Sequence, residues 1–209
     1  MTATVSARKV PRGERRRMEL VDVAEQMFLE RSFADTTMQM IAERAGASKE
    51  TLYRHFASKE LLFAEIVSRK AAEISGPETA LMRGGNPESV LFELGFGLLR
   101  TILTGQASCL FRTVVSEAAR TPELGDLFYQ RGPGLTVERL ATYLERARKR
   151  GELRCDDPQI AARLFLGAVV SQYHLRRLVQ SSWKPPAERE IERHVEAAVT
   201  MFLAQYGSR

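Results

Sequence analysis

Residues 36–60, TTMQMIAERAGASKETLYRHFASKE, decide the fold. Thr36, with Gln39 three residues on, fits a capping box, and Gly46 fits the left-handed position that ends a helix. A helix is therefore expected over 37–45. Ser48 can cap a second short helix that runs to Phe56. Ser58 can cap a third, which carries Leu61, Leu62, Phe63, Ile66 and Val67 on its buried side. Two short helices joined by the tight link Ala45-Gly46-Ala47-Ser48 have the form of a helix-turn-helix, whose second helix enters the DNA major groove. On a helical wheel, Leu52 and Phe56 define the inward side of that second helix.

Its outward side carries Glu50 and Arg54, flanked by Tyr53 and Thr51. A short helix this polar gains little from burial, so the face needs another use. Arg54 has the fork geometry for O6 and N7 of guanine, Glu50 can accept from cytosine N4, and Thr51 can touch a thymine methyl. Lys49, Tyr53, His55 and Lys59 have the reach for phosphate oxygens. Thr36 and Ser48 stand at helix N-termini, where free amides favour an anion. The competing reading is a solvated surface helix, with His55 at a domain seam and Tyr53 flat on the following helix.

Upstream, residues 1–17 hold Arg8, Lys9, Arg12, Arg15, Arg16 and Arg17 against Glu14, a net of +5 that equals the net charge of the whole 209-residue chain. A flexible basic arm over 1–13 is expected; it suits a polyanion or serves as a solubilising tail. Leu20, Val21, Ala24, Met27 and Phe28 recur at helical spacing, giving a first helix over 14–31 and a DNA-binding domain over 14–74. SGPETALMRGGNPES (75–89) is rich in Gly and Pro and marks the boundary with a second domain over 75–209. Further helices are expected over 87–104, 106–120, 122–131, 135–150, 158–181 and 187–206, with Asp157-Pro158 as a helix start. No strand-like alternation stands out, so the fold class is all-α.

Apolar content of 44% and charged content of 27% are ordinary for a soluble globular protein. The most apolar run, Ile160–Val170, contains Arg163 and falls short of the roughly 20 residues of a membrane span. No apolar leader is visible, so a cytoplasmic protein without a membrane partner is expected. Cys109 and Cys155 lack metal-ligand or redox spacing. The histidines are His55, His174 and His194, and the chain has no HExxH, CxxC or Gly-rich phosphate loop. Hence no cofactor, metal or catalytic residue is expected, and an enzyme is disfavoured.

TTMQMIAERAGASKETLYRHFASKELLFAEI (36–66) closely resembles the DNA-binding segment of the TetR family of bacterial transcriptional regulators, which includes the AcrR-like repressors. The match runs through Thr36, Ile41-Ala42, Ala45-Gly46, Ser48, Leu52-Tyr53, His55-Phe56 and Ser58-Lys59-Glu60. SEAARTPELGDLFYQRG (116–132) and ARKRGELRCDDPQIAARLFLGAVV (147–170) look similar to the family's C-terminal domains. The resemblance implies a three-helix DNA-binding domain, a larger helical domain that binds a small ligand, and a homodimer. It also implies that Tyr53, His55, Lys59 and Thr36 meet the DNA backbone, whereas Arg54 and Glu50 occupy positions that vary within the family.

In the second domain, Phe92, Phe96, Leu99, Leu103, Phe111, Phe128, Tyr129 and Trp183 are candidate lining residues of an effector pocket. Gln106, Glu117, Gln172 and His174 are candidate polar anchors. A Phe stripe at helical spacing serves a filled core equally well. Leu164, Gly167, Ala168 and Ser171, with Val195, Val199 and Phe202 on the last helix, are expected at a dimer interface; the alternative is an intrachain core. The function expected is a ligand-responsive repressor released from a palindromic operator by a small apolar effector. The alternative is a DNA-binding regulator with no effector or under a protein partner. The expected partners are double-stranded DNA, a small effector and a second copy of the chain.

Overall fold

The structure, a computed structural model, describes residues 11–74, 81, 85–180 and 182–208. Most of the expected arm (residues 1–10), most of the Gly/Pro-rich boundary and the side chain of Gln106 lie outside the described residues. The chain divides into two compact units, Met1–Ile66 and Val67–Arg209. That division falls inside a helix rather than at 75, where composition places it. A helix can lend successive turns to two cores, and a shift in composition does not register this.

The first unit holds α1 (Arg12–Arg31), α2 (Met38–Arg44), α3 (Lys49–His55) and the first turns of α4 (Lys59–Ile74). Leu20, Val21, Ala24, Met27 and Phe28 form the inward stripe of α1, and Phe28, Phe33 and Phe63 meet ring to ring at 5.2–5.8 Å. Arg16 and Arg17, counted in the charge of the N-terminal segment, are committed inside this unit. Arg16 donates to the carbonyls of Ala45 (2.9 Å) and Gly46 (3.2 Å), satisfying acceptors that the end of α2 leaves orphaned. Arg17 grips Glu65 through two bonds of 2.6 and 2.9 Å and lies 4.8 Å from the centre of the Phe56 ring. Helix α1 also starts at Arg12, so the arginines from there on stand on a helix.

The second unit is built from α5 (Pro87–Ile102), α6 (Gly105–Glu117), α7 (Pro122–Arg131), α8 (Pro133–Lys149), α9 (Pro158–Val179) and α10 (Glu188–Tyr206). Asn86 caps α5, Thr104 caps α6, and Asp157 caps α9 by accepting from the amides of Gln159 and Ile160. Helix α9 is central and packs on α5, α6, α8 and α10. Ala161, Ala162, Phe165 and Val169 of α9 share a core with Leu140 and Leu144 of α8, Leu91 and Leu94 of α5, and Ile191, Val195, Val199 and Phe202 of α10. The described residues contain no strand beyond an isolated antiparallel bridge between Leu153 and Gly207. No single described helix is long and apolar enough to cross a membrane.

The stripe on α10 therefore corrects one expectation. Val195, Val199 and Phe202 are buried inside the chain, with Phe202 edge-on to Phe165 at 5.4 Å, and are not at a surface. Periodicity reports that a stripe is covered, not what covers it. The opposite situation holds on α9, where Leu164 is 57% exposed and Gly167 and Ser171 are open to solvent, while Ala168 is half-buried.

Candidate nucleic-acid interface and apolar cavity

Helix α3 is held in place by few contacts. Leu52 is fully buried and Phe56 nearly so, and the Ser48 hydroxyl accepts from the Thr51 amide at 3.1 Å to cap the first turn. Gly46, at φ +57°, makes the left-handed turn that an L side chain resists, and it brings Ser48 to the start of α3. Lys49, Glu50, Tyr53 and Arg54 are exposed, while Thr51 and His55 are half-buried. Thr51 and Ser48 share a 2.9 Å hydrogen bond between their hydroxyls, so part of their polar capacity is used locally. The face turned away from Leu52 thus offers a guanidinium and a carboxylate, with an ammonium 5.8 Å from the centre of the Tyr53 ring.

Beside it, a surface groove is lined by Thr37, Gln39, Lys49, Tyr53, Ser58 and Lys59, among others. Here the N-termini of α2 and α4 meet the first turn of α3. Thr37 caps α2 by accepting from the Met40 amide at 3.2 Å, and Ser58 accepts from the Leu61 amide at 3.2 Å. Two helix N-termini with a lysine and a phenol suit a phosphate oxygen. Lys59 is half-buried; its ammonium donates to the Phe33 carbonyl at 2.7 Å and sits 4.2 Å from the centre of that ring. It therefore ties the α1–α2 loop to α4 as well as lining the groove.

The second unit contains a cavity of about 410 Å³. Its wall is contributed by α5 (Leu98, Thr101, Ile102), α6 (Ala107, Leu110, Phe111), α7 (Phe128), the start of α8 (Thr136, Val137) and α9 (Leu166, Gly167, Val170, Ser171, His174), with Val67. The wall is almost wholly apolar. The Thr101 hydroxyl donates to the Gly97 carbonyl and the Thr136 hydroxyl to that of Gly132, so both donors are spent on their own helices. His174 stands edge-on to Phe111 at 4.5 Å, and burial pushes its pKa below the usual histidine value. Its Nδ1 is buried with no hydrogen-bond partner among the described residues.

Residues 89–208 match the family described as AefR-like transcriptional repressor, C-terminal domain, and residues 20–66 match bacterial regulatory proteins, tetR family. The chain belongs to the TetR family. A solved TetR-family regulator from Mesorhizobium loti is 30% identical, with a TM-score of 0.81 over 95% of this chain and 100% of its own. The flavonoid-responsive regulator FrrA is 34% identical, with a TM-score of 0.73 over 94% of this chain and 99% of its own. The transcriptional activator FasR of Mycolicibacterium smegmatis is 39% identical over 74 residues, 35% of this chain and 33% of FasR. The chain thus spans about a third of the length of that curated relative. Each of these proteins is named as a regulator, none as an enzyme.

Within this TetR-family frame, several expected site residues lie elsewhere. Thr36 is fully buried, and its hydroxyl donates to the Ser32 carbonyl at 2.7 Å; the exposed cap that faces outward is Thr37. Of the expected pocket residues, Phe111, Phe128 and His174 line the cavity. Leu99 and Leu103 are sealed in the core, and Phe92 and Phe96 stack on each other against it at 5.8 Å. Tyr129 and Gln172 are exposed, and Trp183 lies against Tyr173 and Arg176. Sequence reasoning missed Leu98, Thr101, Ile102, Thr136, Leu166 and Val170, which carry no signal of their own because small and aliphatic residues line cavities and cores alike. Cys155 is buried, which pushes its thiol pKa up and disfavours the reactive thiolate; Cys109 is half-buried. Among the described residues, no three metal-ligating side chains cluster.

Proposed function

We propose that this protein is a sequence-specific DNA-binding regulator of transcription that acts in the cytoplasm. On this reading it is a repressor released from a palindromic operator by a small, largely apolar effector. One observation carries the reading: α3 buries only Leu52, with Phe56 buried just past its end, and turns Glu50, Arg54, Tyr53 and Lys49 outward beside the groove at the α2 and α4 N-termini. Arg54 and Glu50 then read base edges, while Lys49, Tyr53, Thr37 and Lys59 meet phosphates. The cavity supports an effector, and FrrA is named for its response to flavonoids. FasR is named an activator, so the sign of regulation follows the operator's place relative to a promoter.

A dimer is part of the proposal, because one short helix reads too few base pairs. The surface that supports it runs along α9 through Ile160, Leu164, Gly167, Ser171, Leu175 and Val179, spaced three or four apart. Its four large members are 47–70% exposed, and a Cβ at Gly167 would meet nothing within 4 Å. Intrachain packing thus leaves this stripe uncovered, which suits an isologous contact. The effector acts by binding one conformation of the dimer more tightly. A coupling of about 1–3 kcal/mol would change operator affinity about 5–150-fold.

The test is selection of genomic fragments by the purified protein at near-physiological salt. A two-fold symmetric consensus is expected, with half-sites about 34–36 Å apart or a multiple of that. Retention without any consensus would refute sequence-specific regulation and leave only non-specific attraction to phosphate.

A further inference from the structure

We propose that Arg16 and Arg17, consecutive residues of α1, are positioning residues that set the pose of α3 and with it the sequence preference of the protein. This rests on the DNA-binding reading and adds the residues that aim its reading face. Helix α3 has seven residues, well below the roughly 12–15 that an isolated helix needs. Leu52 is its one buried residue, so the core holds it at a single point and leaves its tilt to whatever grips its ends. A recognition site tolerates about 0.5 Å or about 10–20° of misplacement. A tilt of about 10° on Leu52 would carry a side-chain tip about 10 Å away by about 1.7 Å, enough to break a hydrogen bond to a base.

Both ends are gripped from α1. Ahead of α3, Nη2 of Arg16 donates to the Ala45 and Gly46 carbonyls at 2.9 and 3.2 Å, while Nη1 is braced on Glu19 at 2.9 Å. Those carbonyls belong to the turn at Gly46 that leads into α3, so Arg16 fixes the angle at which the helix begins. Past α3, the Arg17 guanidinium lies 4.8 Å from the centre of the Phe56 ring and is locked by two bonds to Glu65 of α4. Phe56 is the residue that closes α3, and it is buried. Neighbouring positions on a helix point about 100° apart, which lets one turn of α1 reach both places. The bonds commit the two guanidiniums to their own unit. A bidentate fork set against a ring needs a planar guanidinium, and a lysine at position 17 would supply neither contact.

The test compares the full-length wild type with Arg16→Met and Arg17→Lys, with circular dichroism confirming that each is folded at the assay temperature. Fluorescence anisotropy measures affinity for a duplex carrying the wild type's selected consensus and for a scrambled duplex of equal length, across a salt series. Each variant is expected to lose about tenfold or more on the consensus duplex, the scale of one displaced bidentate base contact. Affinity for the scrambled duplex should change by less than about twofold, with the salt slope unchanged. For Arg16→Met, equal losses on both duplexes with a slope lower by about 1 would make the residue a phosphate contact and overturn its positioning role. For either variant, a wild-type preference kept while only the melting temperature falls would show a purely structural role and overturn the proposal for that residue. If Arg16→Met does not fold, Arg16→Lys takes its place under the same outcomes. If Arg17→Lys does not fold, Glu65→Gln takes its place. That change removes a negative charge, so charge alone would tighten binding to both duplexes. The proposal requires weaker binding to the consensus duplex, and equal or tighter binding would overturn it. A wild type with no preferred sequence would overturn the regulator reading and this proposal together; one whose preference the variants share would overturn this proposal alone.

Discussion

Adding one methyl group at Gly95 probes how tightly the second unit is packed. Gly95 is buried in α5, and an ideal Cβ there would stand 2.9 Å from Cγ1 of Val195 and 3.4 Å from Cγ2 of Val169. Carbon pairs prefer about 3.5–4.0 Å, so the new methyl is too close to Val195 by roughly 0.6–1.1 Å. Val195 is β-branched and holds one strongly preferred rotamer in a helix, so α5 and α10 must part to make room. Overpacking of this kind costs about 1–3 kcal/mol, against which Ala in place of Gly in a helix interior returns about 1 kcal/mol. Gly95→Ala alone should therefore lose about 0–2 kcal/mol. The decisive quantity is the cycle with Val195→Ala, because the smaller partner removes the clash while the helix gain remains. Urea unfolding at one protein concentration should give a favourable coupling of about 1–3 kcal/mol in the double variant. Effects that add within about 0.5 kcal/mol would refute the close approach of α5 to α10.

Arg54→Ala should cost about 1–3 kcal/mol of operator affinity and relax one base position per half-site, measured by anisotropy on operator variants; a uniform loss would make Arg54 a phosphate contact. Thr37→Ala should cost about 1 kcal/mol of stability through the lost cap, and Thr36→Val about 1–3 kcal/mol through the unmet Ser32 carbonyl. A Thr36→Val protein that melts like the wild type yet binds DNA poorly would return that hydroxyl to the interface. Leu164→Asp combined with Leu175→Asp should sediment as a monomer; a surviving dimer would place the interface elsewhere. Burial lowers the folded-state pKa of His174 below 6.5, so its contribution to stability is intact above that value. It declines as pH falls, because the unfolded chain takes up a proton that the folded chain resists. His174→Phe should lessen the loss of melting temperature between about pH 7.5 and about pH 5, and an unchanged loss would mean His174 is freely hydrated.

What could be read in the sequence was local. Ser48, Asp157 and Gly46 announce helix ends through bonds made within three residues or through a single backbone angle, and each stands at the end it announces. Thr36 and Thr37 show the limit of that signal, since adjacent threonines differ only in which one the fold buries. Arg16 and Arg17 could not be taken from the arm's charge, because Ala45 and Glu65 lie 29 and 48 residues away. The cavity was the least legible. Phe92 and Phe111 look alike in sequence, and only the placing of α6, α7 and α9 makes one a core residue and the other a wall.

Gly167 and Ser171 belong both to the exposed stripe of α9 and to the cavity wall, so the proposed dimer contact and the proposed effector site share these residues. A chain seated on that stripe would cover the part of the cavity wall that these two residues expose. Ligand lifetime would then depend on how concentrated the protein is: brief in dilute solution, where the stripe is bare, and prolonged where it is covered. Escape rates measured on dilute samples would overstate the speed of response in a cell that keeps the protein assembled.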